Sequence, residues 1–158
     1  LRKEMQYLID NDIRDKGEYQ LTNAMENMKQ KGARFKAGSV DVWMDCGNKN
    51  AMVDTNTKVL GFLKDEKGLV SASLKSTNSV VIPPCFIGEN VSLTNSVVGP
   101  NVSIESGAVV TGSVVRNSIL RGHTRVQDCV MDNSMIGERA QVKGTALDVS
   151  ISDDSTLG

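Results

Sequence analysis

The side chains that could do chemistry in this sequence are few and far apart. Asp45 stands in the run Asp45-Cys46-Gly47-Asn48, a turn signal ahead of an apolar-periodic segment. By type and spacing alone it is a turn or helix-cap carboxylate. Glu18 precedes a helix-like stretch and reads as a solvated loop residue. His123 is the single histidine. A neutral imidazole there could serve as a general base, or simply be an exposed polar side chain. Arg116, Arg121, Arg125 and Arg139 share its stretch of sequence, and could form an anion-binding face or merely a solvated surface. Cys46, Cys85 and Cys129 are odd in number and widely spaced. No Cys-x-x-Cys pair exists, and one histidine cannot complete a zinc site with them. They read as free thiols in a reducing cytosol.

Helices and turns must position the first of these residues. Met5, Leu8, Ile9 and Ile13 recur at helical spacing, predicting a helix over about residues 1–12. A second helix is expected near 23–31, with Thr22 as its N-cap and Gly32 as its stop. Residues 33–42 read as one or two strands around Gly38. Val53, Val59, Leu60 and Leu63 predict a third helix over 51–63, and 64–68 a solvated connector.

From Ser79 onward charge thins out, and Val, Ile, Ser, Gly and Asn dominate. IGENVS at Ile87, VGPNVS at Val98, IESGAV at Ile104, LRGHTR at Leu120 and IGERAQ at Ile136 form a hexapeptide repeat. The aliphatic residues fall into three columns. One holds Ile82, Val98, Val115, Met131 and Leu147; a second Ile87, Ile104, Leu120, Ile136 and Ile151; a third Leu93, Val110, Val126, Val142 and Leu157. Their common period near 16 predicts a three-sided parallel solenoid of four to five coils over residues 80–157, rather than a plain sandwich of short strands. Val91, Val102, Ala108 and Ala140 fit a secondary inward position. Gly88, Gly99 and Gly137 fit tight bends between sides. So narrow a prism also accounts for an aromatic content of only 4%. An open end coil and exposed strand edges invite solenoid-to-solenoid packing, so a homo-oligomer is expected.

Two segments of the first half carry a family resemblance. Lys16–Met28, KGEYQLTNAMENM, resembles the KGE-x-QLTDA stretch of bacterial sugar nucleotidyltransferases. Val40–Asn48, VDVWMDCGN, resembles their Trp-x-Asp-x-Gly turn. A hexapeptide solenoid is a common appendage there, and the glucose-1-phosphate thymidylyltransferase-like enzymes are closest in flavour. The resemblance implies a mixed α/β fold. Residues 1–75 would be the C-terminal edge of an α/β nucleotidyltransferase domain, and 76–158 a left-handed parallel β-helix. The implied reaction joins a nucleoside triphosphate and a sugar 1-phosphate into a nucleotide sugar, releasing pyrophosphate. It implies Mg²⁺ as cofactor with Asp45 as a metal ligand, an oxygen donor such as Mg²⁺ prefers. Glu18 matches the family's carboxylate near the sugar. Asn23 departs from the family, which usually carries Asp there.

The family's GxGTRxxP-type loop, second metal-binding Asp and sugar-binding Glu-Lys segment have no counterpart here. The chain is therefore expected to be a tail of the enzyme, inactive by itself, with both ends cut within a longer protein. Hexapeptide solenoids also resemble acyltransferases that use coenzyme A, often with a catalytic His, so His123 keeps that alternative open. A non-catalytic solenoid for oligomerisation or regulation is another. Lys and Arg number 18 against 19 Asp and Glu, which disfavours nucleic-acid and anionic-membrane partners. No apolar run nears the roughly 20 residues of a membrane span. The opening LRKEMQYLID has no apolar core of a signal peptide, so a cytoplasmic protein is expected.

Overall fold

A computed structural model of the chain describes residues 1–144 and 146–158. It divides into two compact units, Leu1–Trp43 and Met44–Gly158. In the first, α1 (Arg2–Asp10) and α2 (Leu21–Gln30) pack through buried Leu8 and Ala24. The small Ala24 lets the helices approach, and Lys31 Nζ donates to both Glu4 carboxylate oxygens at 2.8 Å. Gly32 stops α2 at φ +90°, as expected. Thr22 does not cap it. The N-cap is Gln20, and Thr22 lies within the first turn. Residues 33–42 form no strand. No ladder partner faces them among the described residues, and Phe35, Val40 and Val42 stay exposed.

The second unit opens with α3 (Lys49–Leu63), capped by Asn48, whose Oδ1 accepts from the Ala51 N–H at 3.0 Å. Every fourth or third residue of one stripe, Lys49, Val53, Asn56 and Leu60, faces a solenoid corner. Val53 and Leu60 are buried. Asn56 Nδ2 donates to the Asn101 carbonyl at 3.3 Å, and the Ser103 hydroxyl donates to Asn56 Oδ1 at 2.6 Å. Lys49 Nζ donates to the Asn133 carbonyl at 2.8 Å and bonds Asp148. The helix thus runs back along the solenoid, from its later coils toward its first.

The solenoid has three faces of parallel strands and about five coils. The first face stacks Lys75–Thr77, Ser92–Thr94, Val109–Thr111, Arg125–Gln127, Gln141–Lys143 and Thr156–Leu157. The second stacks Val80–Val81, Val97–Val98, Val114–Val115, Val130–Met131 and Ala146–Leu147. The third stacks Cys85–Ile87, Val102–Ile104, Ile119–Leu120, Met135–Ile136 and Ser150–Ile151. Two predicted columns hold in full. Ile87, Ile104, Leu120, Ile136 and Ile151 are paired in succession, as are Leu93, Val110, Val126, Val142 and Leu157.

The remaining column is displaced by one residue at its start. Val81, not Ile82, pairs with Val98, because the first step on this face is 17 residues, like the second, rather than 16. A strand shifted by one turns its side chain to the other surface, and Ile82 is indeed exposed. Met131 pairs with Leu147 along the backbone, while the Leu147 side chain lies outside the described residues. Val91, Val102, Ala108 and Ala140 are fully buried, as expected.

The corners use left-handed backbone at regular intervals: Asn78, Asn95, Gly112 and Asp128 in one column, Asn101, Asn117 and Asn133 in another. Asn and Asp tolerate that region better than other side-chain-bearing residues. Gly99 belongs to it with φ +108°, and an added Cβ would lie 2.0 Å from the Ile82 carbonyl oxygen. Gly88 and Gly137 are needed for a different reason. Their φ is ordinary, but a Cβ would meet the next coil's backbone, at Ser106 N (2.8 Å) and Asp153 N (2.3 Å). Serine ladders complete the interior. The Ser96 N–H donates to Ser79 Oγ at 3.0 Å, and the Ser113 N–H to Ser96 Oγ at 3.1 Å. The Cys129 N–H donates to Ser113 Oγ at 3.0 Å. Buried hydroxyls are tolerable because each is bonded in this way.

Candidate functional site

Asp45 sits on exposed backbone just before α3. Its Oδ1 accepts from the Gly47 N–H at 3.0 Å, closing an Asx turn. Its own carbonyl accepts from the Thr55 hydroxyl at 2.8 Å, which ties the turn to the second turn of the helix. The cap is Asn48, so Asp45 is left with one carboxylate oxygen free of these tasks. That oxygen suits a hard cation. Among the described residues, however, no three His, Cys, Asp or Glu side chains converge to hold a metal. The donor set fits one ligand of a Mg²⁺ ion and does not by itself make a site.

Glu18 lies in the first unit, so the two sequence candidates belong to different units. It closes a two-residue turn. The Asp15 N–H donates to the Glu18 carbonyl at 2.9 Å, and the reverse bond is 3.0 Å. Lys16 and Gly17 between them have φ +51° and +83°, the signature of a type I′ hairpin turn. Gln20 Nε2 donates to Glu18 Oε2 at 3.1 Å. Beside it, Asp12 Oδ1 accepts from the Tyr19 hydroxyl and from Arg14 Nε, both at 2.7 Å. The Tyr19 bond first, then Arg14, holds the Asp12 carboxyl below its ordinary range. The loop that carries Glu18 is therefore braced on both sides.

His123 is exposed on a left-handed corner, φ +58°, in a column with Asn90, Gly107, Arg139 and Asp154. Its ring lies over Gly107, where a Cβ would come within 2.4 Å of Nδ1. It borders an open groove of about 380 Å³ with Phe86, Glu105, Ser106, Gly122 and Glu138. The four arginines do not share a patch. Arg125 lies on the first face and Arg116 follows a second-face strand. Arg121 pairs with Glu105 at 2.8 Å, and Arg139 with Asp154 and Glu138, each at 2.6 Å. Those carboxylates raise both guanidinium pKa values and neutralise the charge that an anion would need.

The three cysteines are free thiols, Cys46 exposed and the others buried. Burial pushes the Cys85 and Cys129 thiols up, so neither is a ready nucleophile. Lys49 and Asn56 were not marked by any motif, yet they clamp α3 to the solenoid. Their i, i+7 spacing, interleaved with Val53 and Leu60, was the available signal. Among the described residues, no helix is long and apolar enough to cross a membrane.

No protein-family model matches the chain. The chain is similar to a glucose-1-phosphate thymidylyltransferase of Streptomyces antibioticus, 27% identical over 80% of this chain and 40% of the relative. It is similar also to a glucose-1-phosphate thymidylyltransferase of Streptomyces griseus, 32% identical over the same shares. The chain thus spans about two fifths of the length of these curated relatives. Their names, and the solenoid, support a relationship to the sugar-phosphate nucleotidyltransferases.

Proposed function

We propose that the chain is part of a sugar-1-phosphate nucleotidylyltransferase. Residues 1–75 would end its catalytic domain, and 76–158 would form a left-handed β-helix. The observation that carries this is the similarity to two thymidylyltransferases across 80% of the chain. It is joined by the braced KGE loop and the Asp45 turn. The reaction has a phosphate oxygen of the sugar 1-phosphate attack the α-phosphorus of a nucleoside triphosphate, and pyrophosphate leaves. The protein's part is positioning and charge neutralisation.

Asp45 would contribute one carboxylate oxygen to Mg²⁺, with its other ligands and the triphosphate loop drawn from residues that this chain lacks. Mg²⁺, when bound, would supply the positive charge facing the phosphates. Thr55 and Gly47 would hold the Asp45 carboxylate in a fixed direction. Glu18 would line the sugar side, oriented by Gln20 and by the turn that Asp15 closes. The solenoid would assemble copies of the protein in the cytoplasm.

The test is pyrophosphate release by the longer protein, from each nucleoside triphosphate with a panel of sugar 1-phosphates. The relatives' names make deoxythymidine triphosphate and glucose 1-phosphate the first pair to try. No turnover with any pair sinks the reading. Turnover by the 158-residue chain alone would remove the need for further residues. Acyl transfer from acetyl coenzyme A, abolished in His123→Ala, would instead favour the solenoid as an acyltransferase.

A further inference from the structure

Asp45 and the solenoid belong to one compact unit, Met44–Gly158, and an unbroken series of contacts joins them. The series starts at the turn. The Thr55 hydroxyl donates to the Asp45 carbonyl, and the Asn48 side chain accepts from the Ala51 N–H, so residues 45–48 fold back on the first two turns of α3. Thr55 is half-buried, beside the stripe of α3 that faces the solenoid.

The helix in turn is held at two levels of the solenoid. Asn56 joins Asn101 and Ser103. Seven residues earlier Lys49 joins Asn133 and Asp148, and Asn50 Oδ1 accepts from Asn133 Nδ2 at 3.1 Å. Asn101 and Asn133 lie two coils apart, about 9.6 Å at a strand spacing of about 4.8 Å. Seven helical residues rise about 10.5 Å, so both clamps close on an undistorted helix. Sliding α3 by one turn, about 5.4 Å, would set Asn56 beside Ile119, which pairs with Ser103 on the next coil and offers no hydroxyl. The coils therefore fix the register of α3, and α3 fixes the place of the Asp45 turn.

We propose that the solenoid positions the Asp45 carboxylate for its cation, with α3 as the rigid link, Thr55 as the contact to the turn, and Asn56 and Ser103 as positioning residues. The inference rests on the reading of Asp45 as a Mg²⁺ ligand and adds the part of the fold that sets its place. Ser103 bonds Asn56 and neither Asp45 nor Gly47, so a change there reaches the turn through α3.

The Gly47 N–H, which donates to Asp45 Oδ1, reports on the turn. Its exchange with solvent is read by NMR on the 158-residue chain without metal. Thr55→Val keeps the side-chain shape, removes the hydroxyl, and should speed this exchange about fivefold, the weight of one hydrogen bond. Thr55→Ser should restore the parent rate. Ser103→Ala, on the solenoid, should speed it about twofold to fivefold. Asn56→Ala repeats that test from the helix side should Ser103→Ala fail to fold. Lys58→Ala breaks only an exposed pair with Asp54 on α3 and should change nothing. In the longer protein, Ser103→Ala should raise the Mg²⁺ concentration for half-maximal pyrophosphate release by about the same factor, with the KM for sugar 1-phosphate unchanged. Gly47 exchange unaltered in both Ser103→Ala and Asn56→Ala overturns the inference, as does an equal rise in Lys58→Ala or an unchanged Mg²⁺ requirement. Normal turnover in Asp45→Asn overturns the metal reading itself. The two failures are told apart because Gly47 exchange requires no metal.

Discussion

Leu120→Ala is the sharpest test of the solenoid as the source of stability. Leu120 is 0% exposed and lies in register between Ile104 and Ile136. The substitution removes three carbons from the middle of an aliphatic ladder. Leu-to-Ala changes cost about 2–5 kcal/mol, more where the surroundings cannot collapse into the gap. Here the coils cannot close together. The Glu105 N–H donates to the Leu120 carbonyl and the Arg121 N–H to the Ile136 carbonyl, both at 2.9 Å, so the spacing is set by backbone bonds. The expected loss is therefore in the upper half, about 4 kcal/mol. For a chain of this size that corresponds to a fall in Tm of about 8–16 °C. Ile151 occupies the same column but is only partly buried, so Ile151→Ala should cost about 1 kcal/mol. Urea unfolding followed by circular dichroism measures both, with hydrogen exchange to detect fraying of single coils. A loss below about 1 kcal/mol at Leu120, or equal losses at the two positions, would refute the ladder argument.

Gly99→Ala should destabilise the first two coils by about 2 kcal/mol or more, since its Cβ would strike the Ile82 carbonyl and its φ is left-handed; thermal melting reads this. The Lys49 bond, then Asn133, lowers the Asp148 pKa below 3.8. The Asp148 part of the clamp on α3 is then fully present above that value and lost as pH falls through the lower folded value, while the Lys49 bond to the Asn133 carbonyl and the Asn56 bonds remain. Hydrogen exchange in α3 should rise there, and Asp148→Asn should remove the step. In the longer protein, Asp45→Asn should keep the Asx turn and lower turnover by about 10²-fold or more; near-normal pyrophosphate release would take Asp45 out of the metal site. His123→Ala should leave nucleotidyl transfer unchanged in the same assay.

The solenoid was legible because its core repeats. Fourteen of the fifteen column residues carry the observed backbone pairing. The exception, Ile82, sits where two aliphatic candidates, Val81 and Ile82, adjoin and the coil length differs. A period cannot choose between neighbours of the same type. The serine ladders and Asn corners were equally periodic, but they escape a search for aliphatics alone. The first unit has no such repetition. Thr22 looked like a cap by residue type, yet the cap is Gln20, two residues earlier, and boundaries are where local signals are weakest. Residues 33–42 had strand-like composition, but a strand exists only with a partner, and partners are not written locally.

The same distinction governs the candidate site. The Asx turn at Asp45 and the hairpin turn at Glu18 are built from residues within a few positions of one another, so short motifs could mark them. Whether Asp45 binds a metal depends on ligands brought from elsewhere in a fold, and no window of sequence contains that information. The arginines show how such a step fails. Arg121 and Arg139 looked available in the sequence, and the coil period of 15 or 16 residues places Glu105 and Asp154 beside them. A charge in a solenoid must therefore be weighed with its neighbours one period away. By that measure Asp45, whose turn engages Gly47 and Thr55 and whose carboxylate pairs with no cation among the described residues, fits the metal-ligand role proposed for it.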